Sequence, residues 1–254
     1  MRYGGTITPQ QLPRLADLGF DFAEMAVHFL APESPEEELA PLRDQLQASP
    51  VKVEAWNVLL PSDLKITGPR VDHARVSRYL YTALARISAV GGKLVVFGSG
   101  GARRAPDGFP LDRAREQVLE FLEFAAEMAM ERDLTIAIEP LHREADNLIN
   151  TIAQAVALAR EAAHPRVRVL ADNFLSLKEE EPLEEVTRAG PWLAHIHICN
   201  GQRRPPGTGG ADPRPYLAAA KQAGYDGRVS IEASWEDFEA EAAGALRLLR
   251  EFDG

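Results

Sequence analysis

A chain of 254 residues, 45% of them hydrophobic and 26% charged, has the composition of a globular protein and the length of one large α/β barrel or two small domains. Its formal net charge of −10 argues against nucleic acid as a partner, because a negative surface repels phosphate backbones. Cys199 is the only cysteine, which excludes a disulfide within the chain, and neither a signal-peptide pattern nor a roughly 18-residue apolar span is found, so we expect a cytoplasmic protein without a membrane partner.

Short apolar runs alternate with longer amphipathic stretches about eight times along the chain. The runs predict strands over residues 1–4, 21–27, 51–57, 93–97, 134–139, 167–172, 194–199 and 228–232. The stretches between them predict helices over residues 9–18, 36–48, 70–90, 111–132, 151–163, 183–189, 213–223 and 236–252.

This alternation is typical of right-handed βαβ units with a parallel sheet. Eight units favour a closed (β/α)8 TIM barrel over an open doubly wound sheet, and the first strand is not followed by the glycine fingerprint of a dinucleotide fold. Because no linker divides the chain, we predict a single α/β domain over residues 1–254.

The last four predicted strands each carry, at or near the end, a residue that can bind a metal, namely Glu139, Asp172, His197 and Glu232. In a barrel the carboxyl ends of neighbouring strands lie side by side, so we expect the four side chains to converge at one mouth. Three carboxylates and an imidazole favour a divalent ion such as Mn²⁺, Mg²⁺ or Co²⁺ over a closed zinc site. Taken singly, each acid has the alternative of a helix cap or a solvated loop residue.

Four segments carry a resemblance to a known family: IEPLHREADNLINT, VLADNFLSL, HIHICNGQRRPPGTG and YDGRVSIEAS. With them the whole chain resembles the xylose isomerase-like TIM barrel superfamily of sugar isomerases and epimerases, and within it the ketose 3-epimerases and hydroxypyruvate isomerases. The resemblance implies a divalent metal, Mn²⁺ first, held by Glu139, Asp172, His197 and Glu232. It also implies that Arg203 contacts substrate oxygens, and that Glu139 and Glu232 act as base and acid in an enediolate proton transfer.

The chain departs from the ketose 3-epimerase pattern at two substrate-handling positions. Leu175 stands where that branch has a histidine, and Ala145 stands where it has a glutamate. The metal-binding positions are intact, so the departures bear on the identity of the sugar and leave the type of chemistry in place.

Three further side chains are candidates for binding a carbohydrate substrate. Trp56 could stack on a sugar face or pack in the core, and His142 closely follows Glu139. Arg103, in a glycine-rich loop after the fourth predicted strand, could hold an anionic or hydroxylated group, the alternative being a solvated surface arginine. We expect His195 to point away from His197 and to be packed.

The sequence therefore predicts a metal-dependent isomerase or epimerase acting on a sugar or sugar derivative. A metal-dependent lyase or dehydratase acting on a keto-sugar, keto-inositol or 3-keto-glycoside is an alternative on the same barrel, because the same intermediate can expel a leaving group. A sugar-binding or assembly protein on an inactive barrel is a third hypothesis. Dimers and tetramers are common among the enzymes that the chain resembles, so a homo-oligomer stays open.

Overall fold

Eight parallel strands close into a barrel in the computed structural model, which describes residues 1–253. Each strand pairs with the next along the chain, and β8 pairs with β1. The strands are β1 Arg2–Thr6, β2 Phe22–Ala26, β3 Val53–Asn57, β4 Leu94–Phe97, β5 Thr135–Ile138, β6 Val167–Asp172, β7 Leu193–Ile198 and β8 Arg228–Ile231. The predicted (β/α)8 TIM barrel is confirmed, and Gly254, the last residue of the predicted domain, lies outside the described residues.

Helices cover the outside of the barrel and connect the strands in the predicted order. They are α1 Leu12–Leu18, α2 Glu36–Ala48, α3 His73–Ala89, α4 Gly100–Arg103, α5 Leu111–Met130, α6 Ile152–Ala162, α7 Asn173–Lys178, α8 Leu183–Ala189, α9 Arg214–Gln222 and α10 Phe238–Asp253. Across residues 1–253, no helix is both long enough and apolar enough to cross a membrane.

Short helices account for most differences from the predicted elements. The predicted helix over residues 9–18 begins with a 3-10 turn, Pro9–Gln11, and a second 3-10 turn, Val27–Leu30, follows β2. Helix α4 lies within a segment predicted as a loop, and α7 begins directly after β6. Such elements span one or two turns, which is too short to show a helical period in the sequence.

Side chains alternate between the inside of the barrel and the layer under the helices, as strand geometry requires. Inside, an apolar plug is formed by Phe22, Ala55, Leu94, Val96, Ala137 and Leu170. The Phe22 ring lies against β1, where a Cβ atom on Gly4 would be only 2.5 Å from it. This plug fills the lower barrel, so polar side chains that point inward near the carboxyl ends of the strands face the mouth.

Ion pairs connect three strands at the opposite, amino-terminal end of the barrel. The Glu54 carboxylate of β3 accepts hydrogen bonds from Arg2 of β1 at 2.6 Å and from Nε of Arg228 of β8 at 2.7 Å. Only 15% of the Glu54 side chain is exposed. The pairs therefore tie β3 to the seam between β1 and β8, far from the mouth.

Candidate metal centre

The four predicted ligands converge at the mouth. Asp172 ends β6 and His197 lies in β7, while Glu139 and Glu232 directly follow β5 and β8. One ligand atom from each of the four lies within 4.8 Å of the others. We refer to these residues as the carboxylate–histidine cluster; His197 is fully buried, Asp172 and Glu139 are almost so, and Glu232 is partly exposed.

The His197 ring turns its Nδ1 toward this cluster. Its Nδ1 lies 3.2 Å from Oε1 of Glu139 and 3.2 Å from Oε2 of Glu232. This nitrogen is buried and has no hydrogen-bond partner. A buried polar atom without a partner is costly, and binding to a cation together with the neighbouring carboxylates would remove that cost. The residues present thus fit a divalent metal with oxygen and nitrogen ligands.

Arg203, predicted to contact substrate oxygens, lies beside the cluster on the loop after β7. Its guanidinium donates a hydrogen bond to Oδ2 of Asp172 at 3.0 Å and another to Glu232. It also packs over the Phe174 ring at 4.5 Å from the centroid. Three carboxylates, one guanidinium and one divalent cation together carry no net charge, so the donor set is balanced for such an ion.

Burial and neighbouring charges shift the pKa values of two cluster carboxyls in opposite directions. Burial raises the pKa of Asp172, although Arg203 opposes the shift. Burial would also raise the pKa of Glu232, but His197 and Arg203 outweigh it and hold that pKa below its usual range. Crowded carboxylates without a sufficient counter-charge favour a proton on one of them, and a divalent cation would replace that proton.

A glycine on the neighbouring strand makes room for one ligand. A Cβ atom on Gly98, directly after β4, would lie 2.0 Å from Oε2 of Glu139. No other amino acid fits there unless the Glu139 carboxylate moves. Gly98 therefore fixes the position of a proposed ligand without contacting a metal itself.

Glu24, in the middle of β2, is a site residue that the sequence analysis missed. It is fully buried, and its carboxylate is 2.7 Å from Nε2 of His195 and 3.0 Å from Nε2 of His197. Burial would raise the pKa of Glu24, but the two imidazoles outweigh it and hold the pKa well below its usual range. The available signal was a carboxylate within the otherwise apolar run FAEMA.

The expectation that His195 points away from His197 is wrong. Residues two apart in a strand share a face, and both imidazoles contact Glu24 inside the barrel. Their ring centroids are 5.0 Å apart in an edge-on arrangement. His195 is fully buried, so the expectation that it is packed is confirmed.

Two predicted substrate contacts are also wrong. Trp56 is fully buried in the layer under the helices, with Nε1 next to Gly92, so core packing is its role. The Arg103 side chain has no exposed surface, and its Nε donates to Asp146 at 2.7 Å. Its Nη1 and Nη2 atoms donate to backbone carbonyls, including that of Glu139 at 2.7 Å, so the guanidinium is held inside the protein and is not presented to a ligand.

Three further positions were singled out from the sequence, namely His142, Leu175 and Ala145. His142 is partly buried, and its Nδ1 has no hydrogen-bond partner and lies 3.6 Å from Oε2 of Glu144. Its substrate contact stays a prediction. Leu175 is buried beside Asp172, whose Oδ1 accepts a hydrogen bond from the Leu175 amide at 3.3 Å. Ala145 is partly exposed.

Known proteins resemble the chain over nearly its whole length. Residues 12–252 match the model of a family described as xylose isomerase-like TIM barrel. A D-psicose 3-epimerase of Agrobacterium fabrum is 27% identical over 230 residues, 87% of this chain and 77% of that protein. A 3-dehydro-D-guloside 4-epimerase of Escherichia coli is 28% identical over 156 residues, 59% of this chain and 60% of that protein. The crystal structure of a D-psicose 3-epimerase of Clostridium cellulolyticum H10 with D-tagatose superposes with a TM-score of 0.87 and 20% identity, covering 99% of both chains.

Proposed function

Because the chain belongs to the xylose isomerase-like TIM barrel family, we propose that it is a divalent-metal-dependent sugar isomerase or epimerase that transfers a proton at a carbon next to a carbonyl group. Its relatives are epimerases, so it is an enzyme of this class. The same relatives do not favour the lyase alternative. A binding protein on an inactive barrel does not account for an intact set of four converging ligands.

The observation that carries the proposal is the convergence of Glu139, Asp172, His197 and Glu232, with the unpartnered Nδ1 of His197 directed at two of the carboxylates. Carboxylate oxygens and one imidazole nitrogen are ligands of hard and borderline divalent ions. Mn²⁺ is the proposed metal, with Mg²⁺ and Co²⁺ as alternatives.

We propose that the two glutamates move the proton. A bound divalent cation would supply Lewis-acid polarisation of the substrate carbonyl, which makes the adjacent C–H acidic. Glu139 and Glu232 come from strands three apart in the barrel and approach the mouth from different directions. One carboxylate takes the proton from carbon, leaving the electron pair in an enediolate, and the other returns a proton to the opposite face. Arg203 holds substrate oxygens from the loop above.

The opposite side of the mouth is formed by the ends of β2, β3 and β4. By strand alternation Ala26, Asn57 and Gly98 point inward above the apolar plug, and two of these side chains are small. The Asn57 side chain is 6% exposed and its Oδ1 has no hydrogen-bond partner. We propose that Asn57 binds a substrate hydroxyl, with His142 as a further candidate contact. The resemblance implies a histidine and a glutamate where this chain has Leu175 and Ala145, so we propose a sugar or sugar derivative that does not need those two contacts.

Deuterium exchange tests the proposal directly. Purified protein would be incubated in D2O with Mn²⁺ and a panel of ketoses, 3-keto sugars and sugar acids, and the products analysed by mass spectrometry and NMR. We expect metal-dependent deuterium incorporation next to a carbonyl group, without loss of water or of a leaving group, and none with E139Q. Exchange that is absent throughout the panel, or that persists in E139Q, would contradict the proposal. A product lighter by one eliminated group would establish the lyase instead.

Cytoplasmic location and oligomeric state stay predictions from the sequence. Both can be measured on the native protein, by fractionation of the source cells and by light scattering.

A further inference from the structure

Glu24 accepts hydrogen bonds from three side chains on two neighbouring strands, below the carboxylate–histidine cluster. One oxygen, Oε1, faces Nε2 of His197 at 3.0 Å. The other, Oε2, faces Nε2 of His195 at 2.7 Å and accepts from the Ser230 hydroxyl at 2.6 Å. All four side chains are fully buried, so water cannot replace any of these contacts.

These contacts decide which nitrogen of His197 is free. A neutral imidazole carries a proton on one nitrogen and a lone pair on the other. With a cation bound beside Nδ1, among Glu139 and Glu232, the one proton of His197 belongs on Nε2, because that nitrogen faces a carboxylate oxygen that can only accept. Nδ1, which faces Glu139 and Glu232, then carries the lone pair that a metal requires.

Glu24, His195 and His197 are also close enough to hold an ion among themselves. The contacts favour a hydrogen-bond network instead. Both oxygens of Glu24 already have donors at 2.6–3.0 Å, and the same nitrogen of His197 cannot both donate to Glu24 and bind an ion. One buried carboxylate with three donors is fully satisfied without a cation.

We propose that Glu24 is a positioning residue for the metal site, which keeps the proton of His197 on Nε2 and the ring turned so that Nδ1 binds the metal. Carboxylates that accept from the distal nitrogen of a metal-binding histidine typically contribute 10–100-fold in metal affinity. The inference rests on the proposed metal site and adds a residue that does not itself contact metal or substrate.

A glutamine at position 24 would disrupt this arrangement without changing its size. A glutamine amide offers one acceptor oxygen and one NH2 group, whereas the network needs acceptors toward His195, His197 and Ser230. The NH2 group would then face Nε2 of one imidazole. That nitrogen would have to give up its proton and accept a hydrogen bond instead. Where that imidazole is His197, its proton moves to Nδ1 and blocks metal binding.

The test compares metal binding in E24Q with binding in wild type and in E54Q. Dissociation constants for Mn²⁺ would be measured by calorimetry, and the absorption spectrum of the Co²⁺ form would report ligand geometry. E54Q is the matched control, since Glu54 is a largely buried carboxylate that is also paired with donors from two strands, at the far end of the barrel. We expect E24Q to bind Mn²⁺ about 10–100-fold more weakly with an altered Co²⁺ spectrum, and E54Q to bind like wild type.

A second measurement does not depend on the variant folding. In 15N-histidine-labelled wild type loaded with diamagnetic Mg²⁺, the proton of His197 should be on Nε2 and exchange slowly with solvent. A proton on Nδ1, or an E24Q affinity within twofold of wild type, would overturn the role of Glu24. Failure of the wild-type protein to bind any divalent ion would instead overturn the metal site on which the inference rests.

Discussion

Nε of Arg103 lies 2.7 Å from Oδ2 of Asp146, and neither side chain is exposed to solvent. The same guanidinium donates to the backbone carbonyl oxygens of Phe97 at 2.8 Å and Glu139 at 2.7 Å. Asp146 in turn accepts from the amide of Ile149 at 3.1 Å. The pair therefore connects α4 to the carboxyl ends of β4 and β5, including the backbone of a proposed metal ligand.

Removing one member of this pair should destabilise the whole domain. R103M leaves Asp146 charged, buried and without its cation, which typically costs about 3–5 kcal/mol. The measurement is the free energy of unfolding from urea denaturation. R104M is the matched control, since Arg104 is the next residue, is exposed and contacts only backbone oxygens at 3.2 and 3.4 Å. If R103M lowers the free energy of unfolding no more than R104M does, the structural role of the Arg103–Asp146 pair is contradicted.

Gly98→Ala should impair the metal site with little effect on folding. The added methyl group would overlap Oε2 of Glu139, and the easiest relief is rotation of that flexible side chain away from the cluster. We expect Mn²⁺ affinity and exchange activity to fall at least about 10-fold, while the urea midpoint changes little. G244A is the control, because a Cβ atom there meets no atom within 4 Å. Unchanged metal affinity in G98A would show that Glu139 does not need its observed position.

Much of the fold could be predicted because parallel strands covered on both faces are continuous apolar runs. The predicted strand over residues 167–172 has the observed bounds of β6, Val167–Asp172. The convergence of Glu139, Asp172, His197 and Glu232 followed from the same reasoning, since the strand ends of a barrel meet at one mouth. Local pattern and topology sufficed for these residues.

The direction of individual side chains was harder to predict. Arg103 points inward because Asp146 and several carbonyls meet it there, and those contacts involve residues far away in sequence. In β3 the side chains of Ala55 and Asn57 point into the barrel, so the alternate residue Trp56 points outward. The alternation of a strand does not by itself reveal which of its two faces is inside. The direction of His195 could have been predicted correctly from the sequence, because the two-residue period of a strand places His195 and His197 on one face.

Acid should weaken the ion pairs at the amino-terminal end of the barrel. Burial would raise the pKa of Glu54, but hydrogen bonds from Arg2 and Arg228 outweigh it and lower the pKa from its ordinary value of 4.5. A lowered folded-state pKa contributes stability that is fully present above the unfolded value and is lost as pH falls through the folded value. E54Q should therefore lower the free energy of unfolding by about 1–3 kcal/mol at neutral pH, and by less below pH 4.5. Urea denaturation across a pH series would measure this difference. A difference that stays constant down to pH 3 would contradict this.

Metal should stabilise the protein through the carboxylate–histidine cluster. A ligand at about 100 times its dissociation constant adds about 2.7 kcal/mol to the free energy of unfolding. For a chain of this size that raises Tm by roughly 5–10 °C. Thermal denaturation with and without Mn²⁺ should show this rise in wild type, reversal by EDTA, and no rise in D172N. An equal rise in D172N would place the stabilising ion elsewhere.

Asn57→Leu should weaken substrate binding and leave the metal site intact. Leucine has the same number and branching of side-chain heavy atoms as asparagine, so the inward position at the end of β3 stays filled, but the unpartnered amide oxygen is lost. One neutral hydrogen bond is worth about 0.5–1.5 kcal/mol, which corresponds to a rise in KM of roughly 2–12-fold with the sugar that shows exchange. Because Asn57 is neither a proposed proton-transfer group nor a member of the carboxylate–histidine cluster, kcat should change less than KM, and the Mn²⁺ dissociation constant should not change. An unaltered KM would remove Asn57 from the substrate site, whereas a loss of Mn²⁺ affinity would mean that Asn57 supports the cluster and not the sugar.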